Sequence, residues 1–406
     1  MKIGIDIRNI GKKRTGDEVV FFNLVKNLAQ IDSINEYLLF TDTNDFTVLQ
    51  YTVKNLGIEN KKNFQIISLP LSFPRRRESS LQTRFRIKSG MTFFNNKFTW
   101  NFWTLPRYLK KNPVDVYHTQ YILPFCVPKK IKLITHIHDV SFNAYPEKIK
   151  FLDLFFLKTL IPRSLKKADK IIAVSEFTKN EIVKYYQIPE EKIEVVYNAV
   201  GDNFTQEISE EKIQQILKSY NLTPKAYILY LGTMQPRKNL PVLIEAFASL
   251  KDKTSYKLVL CGNRTAHNFD KKIDTVIEKY NLQDSVIFPG FIDEIDKPVI
   301  FKLAKIFCFP SLYEGFSIPI LEAMVAGTPV MASDIPPHRE VAGEAALFFN
   351  PENSQDLAEK LEKIISDSDL RNDLIQKGLE QAQKFSWKKS AEKLLKIYQN
   401  IQIDNK

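Results

Sequence analysis

Short apolar runs rich in β-branched residues alternate with helical patterns along almost the whole chain, and the alternation lapses once before it restarts. In the first half, strands are expected at 2–7 (KIGIDI), 37–42 (YLLFTD), 64–70 (FQIISLP), 114–119 (VDVYHT), 132–140 (KLITHIHDV), 170–175 (KIIAVS) and 192–200 (KIEVVYNAV). Between them, 18–30 and 175–187 carry helical spacing, with Ser175 at the N-cap of the latter. From 201 to 225 polar helix-formers replace the strand signal. Strand patterns then resume at 226–232, 256–262, 285–291, 306–311, 328–333 and 345–350, with helices at 240–250 and 318–327. Strands separated by helical crossovers form parallel sheets covered on both faces.

The fold class is therefore α/β: two doubly wound, Rossmann-like domains facing across a cleft. We place the first domain at 1–203, a linker region at 204–225, the second domain at 226–385 and a last helix at 386–406. A length of 406 residues agrees with two domains. Ligands of such sheets bind beyond the carboxyl ends of the strands, so the cleft is the expected site.

Composition narrows the function classes. The formal net charge is +11, and the run PRRRESSLQTRFRIKSGM at 74–91 supplies a large part of it. This run lies in an irregular basic and aromatic insert at 71–106. No RNA- or DNA-binding pattern surrounds it, so nucleic acid is not an expected partner. The run resembles a translated copy of a dispersed bacterial palindromic repeat, which suggests an insertion at a surface loop. Cys126, Cys261 and Cys308 are far apart and in apolar contexts, so three buried thiols and a reducing cytoplasm are expected. MKIGIDIRNI reads as a strand, not a signal peptide, and no run of about 18 uncharged apolar residues exists to span a membrane. FLDLFFLKTLI (151–161), followed by Pro162, reads as a docked helix, with a membrane-surface helix as the alternative.

Neither GxGxxG after the first strand nor GxxxxGK[ST] is present, so dinucleotide cofactors and P-loop chemistry are unsupported. In GTMQPRKNLPVLIEAF (232–247), Gly232 allows a turn, Arg237 and Lys238 precede a helix N-terminus, and Asn239 is placed to cap that helix. Two cations beside free N–H groups suit a diphosphate. In PSLYEGFSIPILEAMVAGTPV (310–330), Glu314 sits on a loop, Gly315 to Ser317 present N–H groups, Pro319 suits a first helical turn, and Glu322 lies one turn in. Gly327 is placed to end the helix. A carboxylate here can hold sugar hydroxyls or a ribose diol. Asp367 and Asp369 form a DxD, but in a polar stretch between helices, read as a solvated turn.

GTMQPRKN followed by YEGFSIPILEAMVAGTPV resembles the donor-site signature of retaining glycosyltransferases of the GT-B fold, glycosyltransferase family 4. THIHDVSFNAYPE (135–147) resembles that family's catalytic-histidine loop, and 168–200 its interdomain-facing stretch. The resemblance implies that Arg237 and Lys238 bind the diphosphate of a nucleotide-sugar donor and stabilise the leaving group. It implies that Glu314 holds the transferred sugar and Glu322 the ribose. Gly315, Phe316 and Ser317 would give backbone contacts, and His138 would face the donor sugar. His118 and His136 are read as structural. The first-domain turn GKKRTGDEVVF departs from the family's glycine-rich form, and Gly16 is the expected donor contact there. The resemblance also implies no metal and no cofactor. GDP-mannose is the first donor expected, from the likeness of HDVSF…PE to mannosyltransferases, with UDP-sugars next. A glycan or lipid-linked acceptor and peripheral contact with the inner membrane face are expected. A sugar phosphorylase or a nucleotide-sugar epimerase of the same fold is the alternative activity.

Overall fold

The computed structural model describes residues 1–11, 16–69, 99–265 and 268–403. The basic run 74–91 and most of the insert around it lie outside the described residues. All thirteen expected strands form. The first seven are β1 (Lys2–Asp6), β2 (Glu36–Thr41), β3 (Phe64–Ser68), β4 (Val116–Gln120), β5 (Lys132–Ile137), β6 (Lys170–Ala173) and β7 (Ile193–Val195). They make one parallel sheet in the order β3-β2-β1-β4-β5-β6-β7. The other six are β8 (Tyr227–Leu231), β9 (Lys257–Cys261), β10 (Val286–Gly290), β11 (Ile306–Phe309), β12 (Val330–Ser333) and β13 (Ala346–Phe349). They make a second parallel sheet, β10-β9-β8-β11-β12-β13. This is the GT-B architecture.

Each sheet has one point where the strand order reverses, between β1 and β4 in the first and between β8 and β11 in the second. The crossovers leave to opposite faces there and open a crevice beyond the strand ends. The loop after β8 carries Arg237 and Lys238, and the loop after β11 carries Glu314. Topology alone therefore brings together residues about eighty positions apart.

Residues between the sheets are not bare linker. Helix Glu210–Tyr220, capped by Ser209, inserts Ile216 and Leu217 into the apolar core of the second domain. The last helix, Trp387–Ile403, crosses back and packs on helix Gly16–Ile31 of the first domain. Its Trp387, Ala391, Leu394, Ile397, Tyr398 and Ile401 are buried among Ile3, Ile5, Phe21 and Leu24. That spacing of three and four residues is one helical face, so the first domain's core is incomplete without the chain's far end. Ser390 Oγ fastens the crossing by donating to the Tyr197 carbonyl at 2.5 Å.

Five local expectations are corrected or refined. Helix Phe151–Lys167 continues through Pro162 to Lys167, because burial of Ile161, Ser164 and Leu165 holds the turn together despite the missing N–H. Cys126 is exposed, while Cys261 and Cys308 are buried; all three are free thiols. Asn239 takes a left-handed conformation and does not cap helix Leu240–Ala248, since its amide donates instead to the Pro351 carbonyl at 2.7 Å. Gly232 has no left-handed torsion, and what a side chain there would meet is the Tyr230 hydroxyl at 2.8 Å. Asp367 does have a structural task, accepting from Leu370 N as the N-cap of helix Ser368–Ala382.

Because Leu394 is buried at the crossing, Leu394→Ala should cost about 2–5 kcal/mol. A urea titration that follows the first domain's unfolding checks this, with the second domain little affected.

Candidate active site

Arg237 and Lys238 lie in the short turn Pro236–Lys238, and Pro236 sets its first residue. The Leu312 N–H donates to the Arg237 carbonyl at 2.8 Å, which ties this turn to the loop carrying Glu314. The Glu314 carboxylate is then gripped from two sides. Arg237 donates to its Oε2 at 3.1 Å and to the Tyr313 carbonyl at 3.1 Å, and Lys238 Nζ bonds Oε1. Only 6% of Glu314 and 7% of Lys238 are exposed, so this cluster exchanges little with water.

The electrostatics follow from two cations sharing one anion. Burial pushes the Glu314 carboxyl up, but the charges of Lys238 and Arg237 outweigh it and hold it down, to about 2. Burial, together with the charge of Arg237, pulls Lys238 down to about 8 against the attraction of Glu314. Arg237 goes the other way: burial lowers it, and the Glu314 charge more than compensates. Glu314 is the carboxylate both cations bond to, and the charge of Asp139 from the first domain also acts on each of them.

Helix Ile318–Val325 begins directly after this loop, with Pro319 in its first turn and Gly327 at a left-handed φ of 69° just past its end. Ser317 sits at the helix start, 1% exposed, and its hydroxyl has no hydrogen-bond partner among the described residues. Glu322 is buried inside the same helix, 3.5 Å from Lys297 Nζ. Phe316 is buried, its ring against Tyr197 and Phe385.

The first domain closes on this loop. A Cβ at Gly315 would fall 1.6 Å from the His138 carbonyl oxygen, so only glycine permits the approach. The Gly315 carbonyl accepts from Ser175 Oγ at 2.6 Å and Thr178 Oγ1 at 3.2 Å. Ser175 does cap helix Glu176–Tyr186, accepting from Thr178 N at 2.9 Å. Glu340 of the second domain accepts from the N–H groups of Glu176 and Phe177 in that helix's first turn, at 2.7 and 2.9 Å. This places a carboxylate on a positive helix end. His138, 9% exposed, thus borders the Glu314 loop, with Asp17 3.9 Å from its Nε2. Gly16 opens helix Gly16–Ile31, exposed, with nothing within 4 Å of where a Cβ would stand.

His138 is also the end of a stack. His136 lies 4.9 Å from it and His118 5.6 Å further, with planes within 16° and 11°, and Phe21 flanks the rings. The Tyr398 hydroxyl of the crossing helix meets His118 Nδ1 at 2.7 Å. Burial and then the neighbouring His138 hold His118 down to about 3, and the same causes keep His136 well below its ordinary value. The two inner rings are neutral packing elements. The alternation of histidines at 136 and 138 puts both on one face of β5, a signal present in THIHD. The roles of Gly315 as an interdomain contact, of Thr178 and Glu340, and of Lys297 had no local sequence signal, because each depends on which loops meet. Among the described residues, no three histidine, cysteine or carboxylate side chains are grouped to hold a metal.

The profile described as "Glycosyltransferase Family 4" matches residues 60–204, and "Glycosyl transferases group 1" matches 211–381. The O-antigen chain mannosyltransferase B of Escherichia coli is 30% identical over 277 residues, covering 68% of this chain and 72% of that protein. The chain belongs to the family 4 glycosyltransferases. The serotype-specific mannosyltransferase WbdA of Escherichia coli is 35% identical over 230 residues, 56% of this chain but only 28% of that longer protein. Among solved structures, the sucrose-phosphate synthase of Thermosynechococcus elongatus has the same fold, with a TM-score of 0.74 over the full length of both chains at 20% identity. This glycosyltransferase has no described helix long and apolar enough to cross a membrane.

Two outcomes follow from the geometry. Gly315→Ala should drive the Glu314 loop off the first domain, abolishing transfer while both domains stay folded; small-angle scattering should show a more open molecule. Glu314 also gives the enzyme an acid limit. Its folded-state value of about 2 lies below the ordinary 4.5, so its stabilisation is present above 4.5 and is lost as pH falls through about 2. Acid unfolding of Glu314→Gln, compared with the parent, should lack that part of the pH dependence.

Proposed function

We propose that this glycosyltransferase moves a sugar from a nucleotide-sugar donor, mannose from GDP-mannose first and the sugar of a UDP-sugar next, to a glycan or lipid-linked acceptor with retention at the anomeric carbon. The observation that carries the reading is the buried cluster of Arg237 and Lys238 on Glu314 at the β8/β11 crevice. The unpartnered Ser317 hydroxyl at the start of helix Ile318–Val325 supports it, since helix N–H groups and a hydroxyl suit phosphate oxygens. The mannose choice is supported by the two relatives described as O-antigen and serotype-specific mannosyltransferases.

In this reading the donor diphosphate takes the place beside Arg237 and Lys238, which attract its negative charge. As the bond between the anomeric carbon and the phosphate oxygen breaks, charge grows on that oxygen, where the two cations stabilise it without a metal ion. The acceptor hydroxyl bonds to the anomeric carbon on the same face, and its proton passes to the departing phosphate oxygen. Glu314 opposes the positive charge of the sugar and orients its hydroxyls, Glu322 takes the ribose, and His138 borders the sugar from the first domain. Gly16 and the amides of Gly315 to Ser317 provide further contacts to the donor.

We assign the acceptor's approach to a cavity of about 890 Å³ between residues 147–150 and Pro236, Asn239, Glu245 and Asp270. Helix Phe151–Lys167 exposes Phe151, Leu152 and Phe155 at one end and Lys158, Arg163 and Lys166 further along. An apolar edge beside cations suits peripheral contact with an anionic membrane face that presents a lipid-linked acceptor.

Lys238→Met and Glu314→Gln should each lower transfer more than about a hundredfold, with product anomer assigned by NMR in the parent enzyme. Near-parental turnover in both variants contradicts the site. A β-configured product from an α-linked donor contradicts retention. Chelation of divalent cations should leave transfer unchanged.

A further inference from the structure

Lys297 is a largely covered cation at the second-domain crevice that the mechanism above leaves idle. It opens helix Lys297–Lys302, and its side chain is 12% exposed. Its ammonium lies between two carboxylates, 2.6 Å from Glu294 Oε1 and 3.5 Å from Glu322 Oε1. Glu294 belongs to the loop after β10, and its own carbonyl accepts from Asn203 Nδ2 at 2.6 Å, so that loop is tied to the interdomain connection. Glu322 is 5% exposed. A short contact to one acid and a longer one to the other marks an ammonium anchored on Glu294 that leaves Glu322 free to accept further hydrogen bonds.

We propose that Lys297 is a positioning residue of the donor site, fixing Glu322 as a carboxylate acceptor for the ribose hydroxyls, with Glu294 as the anchor of its ammonium. The proposal rests on the donor reading above, which gives Glu322 to the ribose. Its physical basis is that a carboxylate buried beside another acid cannot stay charged unaided. Burial raises the Glu322 carboxyl, Lys297 opposes that rise, and Glu294 adds to it. Lys297 itself is lowered by burial, but Glu322 and Glu294 more than restore it, so it stays charged. Among the described residues, Lys297 from its helix and Glu294 from the loop before it are the charged groups acting on Glu322. Without the ammonium, burial and the Glu294 charge act together, and Glu322 holds a proton to higher pH than in the parent. A protonated acid accepts fewer hydrogen bonds from a diol than a carboxylate does.

The test compares GDP with 2′-deoxy-GDP by calorimetry on the full chain, with UDP and 2′-deoxy-UDP as a parallel pair, at about pH 6.5 and about pH 9. The parent enzyme should prefer the ribonucleotide about tenfold at both pH values. Lys297→Met should lose that preference at the lower pH and regain it at the higher, as Glu322 deprotonates. Lys297→Arg should keep it. The double variant Glu294→Gln with Lys297→Met removes the repelling acid as well, should fold as the parent does, and should recover the preference at the lower pH. A Lys297→Met preference equal to the parent's at both pH values overturns the proposal, and so does a loss of equal size at both. Failure of the parent to bind any of the four nucleotides overturns the donor reading together with it.

Discussion

The Glu314 carboxylate lies between the Arg237 guanidinium and the Lys238 ammonium, nearly out of reach of water. Removing charged groups from water is costly. The arrangement persists because the three side chains come from loops fixed at adjacent strand ends, and because the Leu312 N–H and the Tyr313 carbonyl bind the two loops to each other. Burial, and then the charge of Arg237, leave Lys238 with a weakened hold on its proton. In the proposed reading, a donor diphosphate placed beside it restores that hold. Binding and leaving-group stabilisation are then one electrostatic property seen at two stages of the reaction.

The second domain alone would hold that cluster without completing a site. The first domain reaches it through a contact that leaves no space for a side chain at residue 315, and Ser175 and Thr178 hold the Gly315 carbonyl. Glu340 returns the contact from the second domain to the same helix end. Behind His138, the neutral rings of His136 and His118 run back to Tyr398 of the crossing helix. The last helix therefore supports the floor on which His138 rests, so the stability of the first domain and the geometry of the cleft share residues.

Most of the architecture was legible in the sequence, because a parallel sheet buried on both faces writes each strand as a short apolar run that periodicity can find. All thirteen strands appear where such runs lie, and Ser175, Pro319 and Gly327 act in the helix ends that their chemistry suggested. The errors have a common origin in tertiary contact. Asn239 finds the Pro351 carbonyl in place of its own helix, Pro162 is carried inside a helix by buried neighbours, and Cys126 emerges at the surface. The site residues that local pattern did not point to, Lys297 above all, are those whose partners come from elsewhere in the chain. Glu314 was expected as an open carboxylate, and only the fold shows both of its oxygens already engaged.

Proton-linked calorimetry reads that engagement most directly. GDP, or UDP in parallel, is titrated into the parent enzyme at about pH 8.5 in buffers of different ionisation enthalpy, where the nucleotide's terminal phosphate is already fully ionised. Lys238 is held at about 8 in the free site, so a diphosphate that settles against it must draw a proton onto it. The account predicts net uptake of part of one proton per nucleotide bound, absent in Lys238→Met. Binding with no proton uptake in the parent, or with equal uptake in the variant, would contradict it.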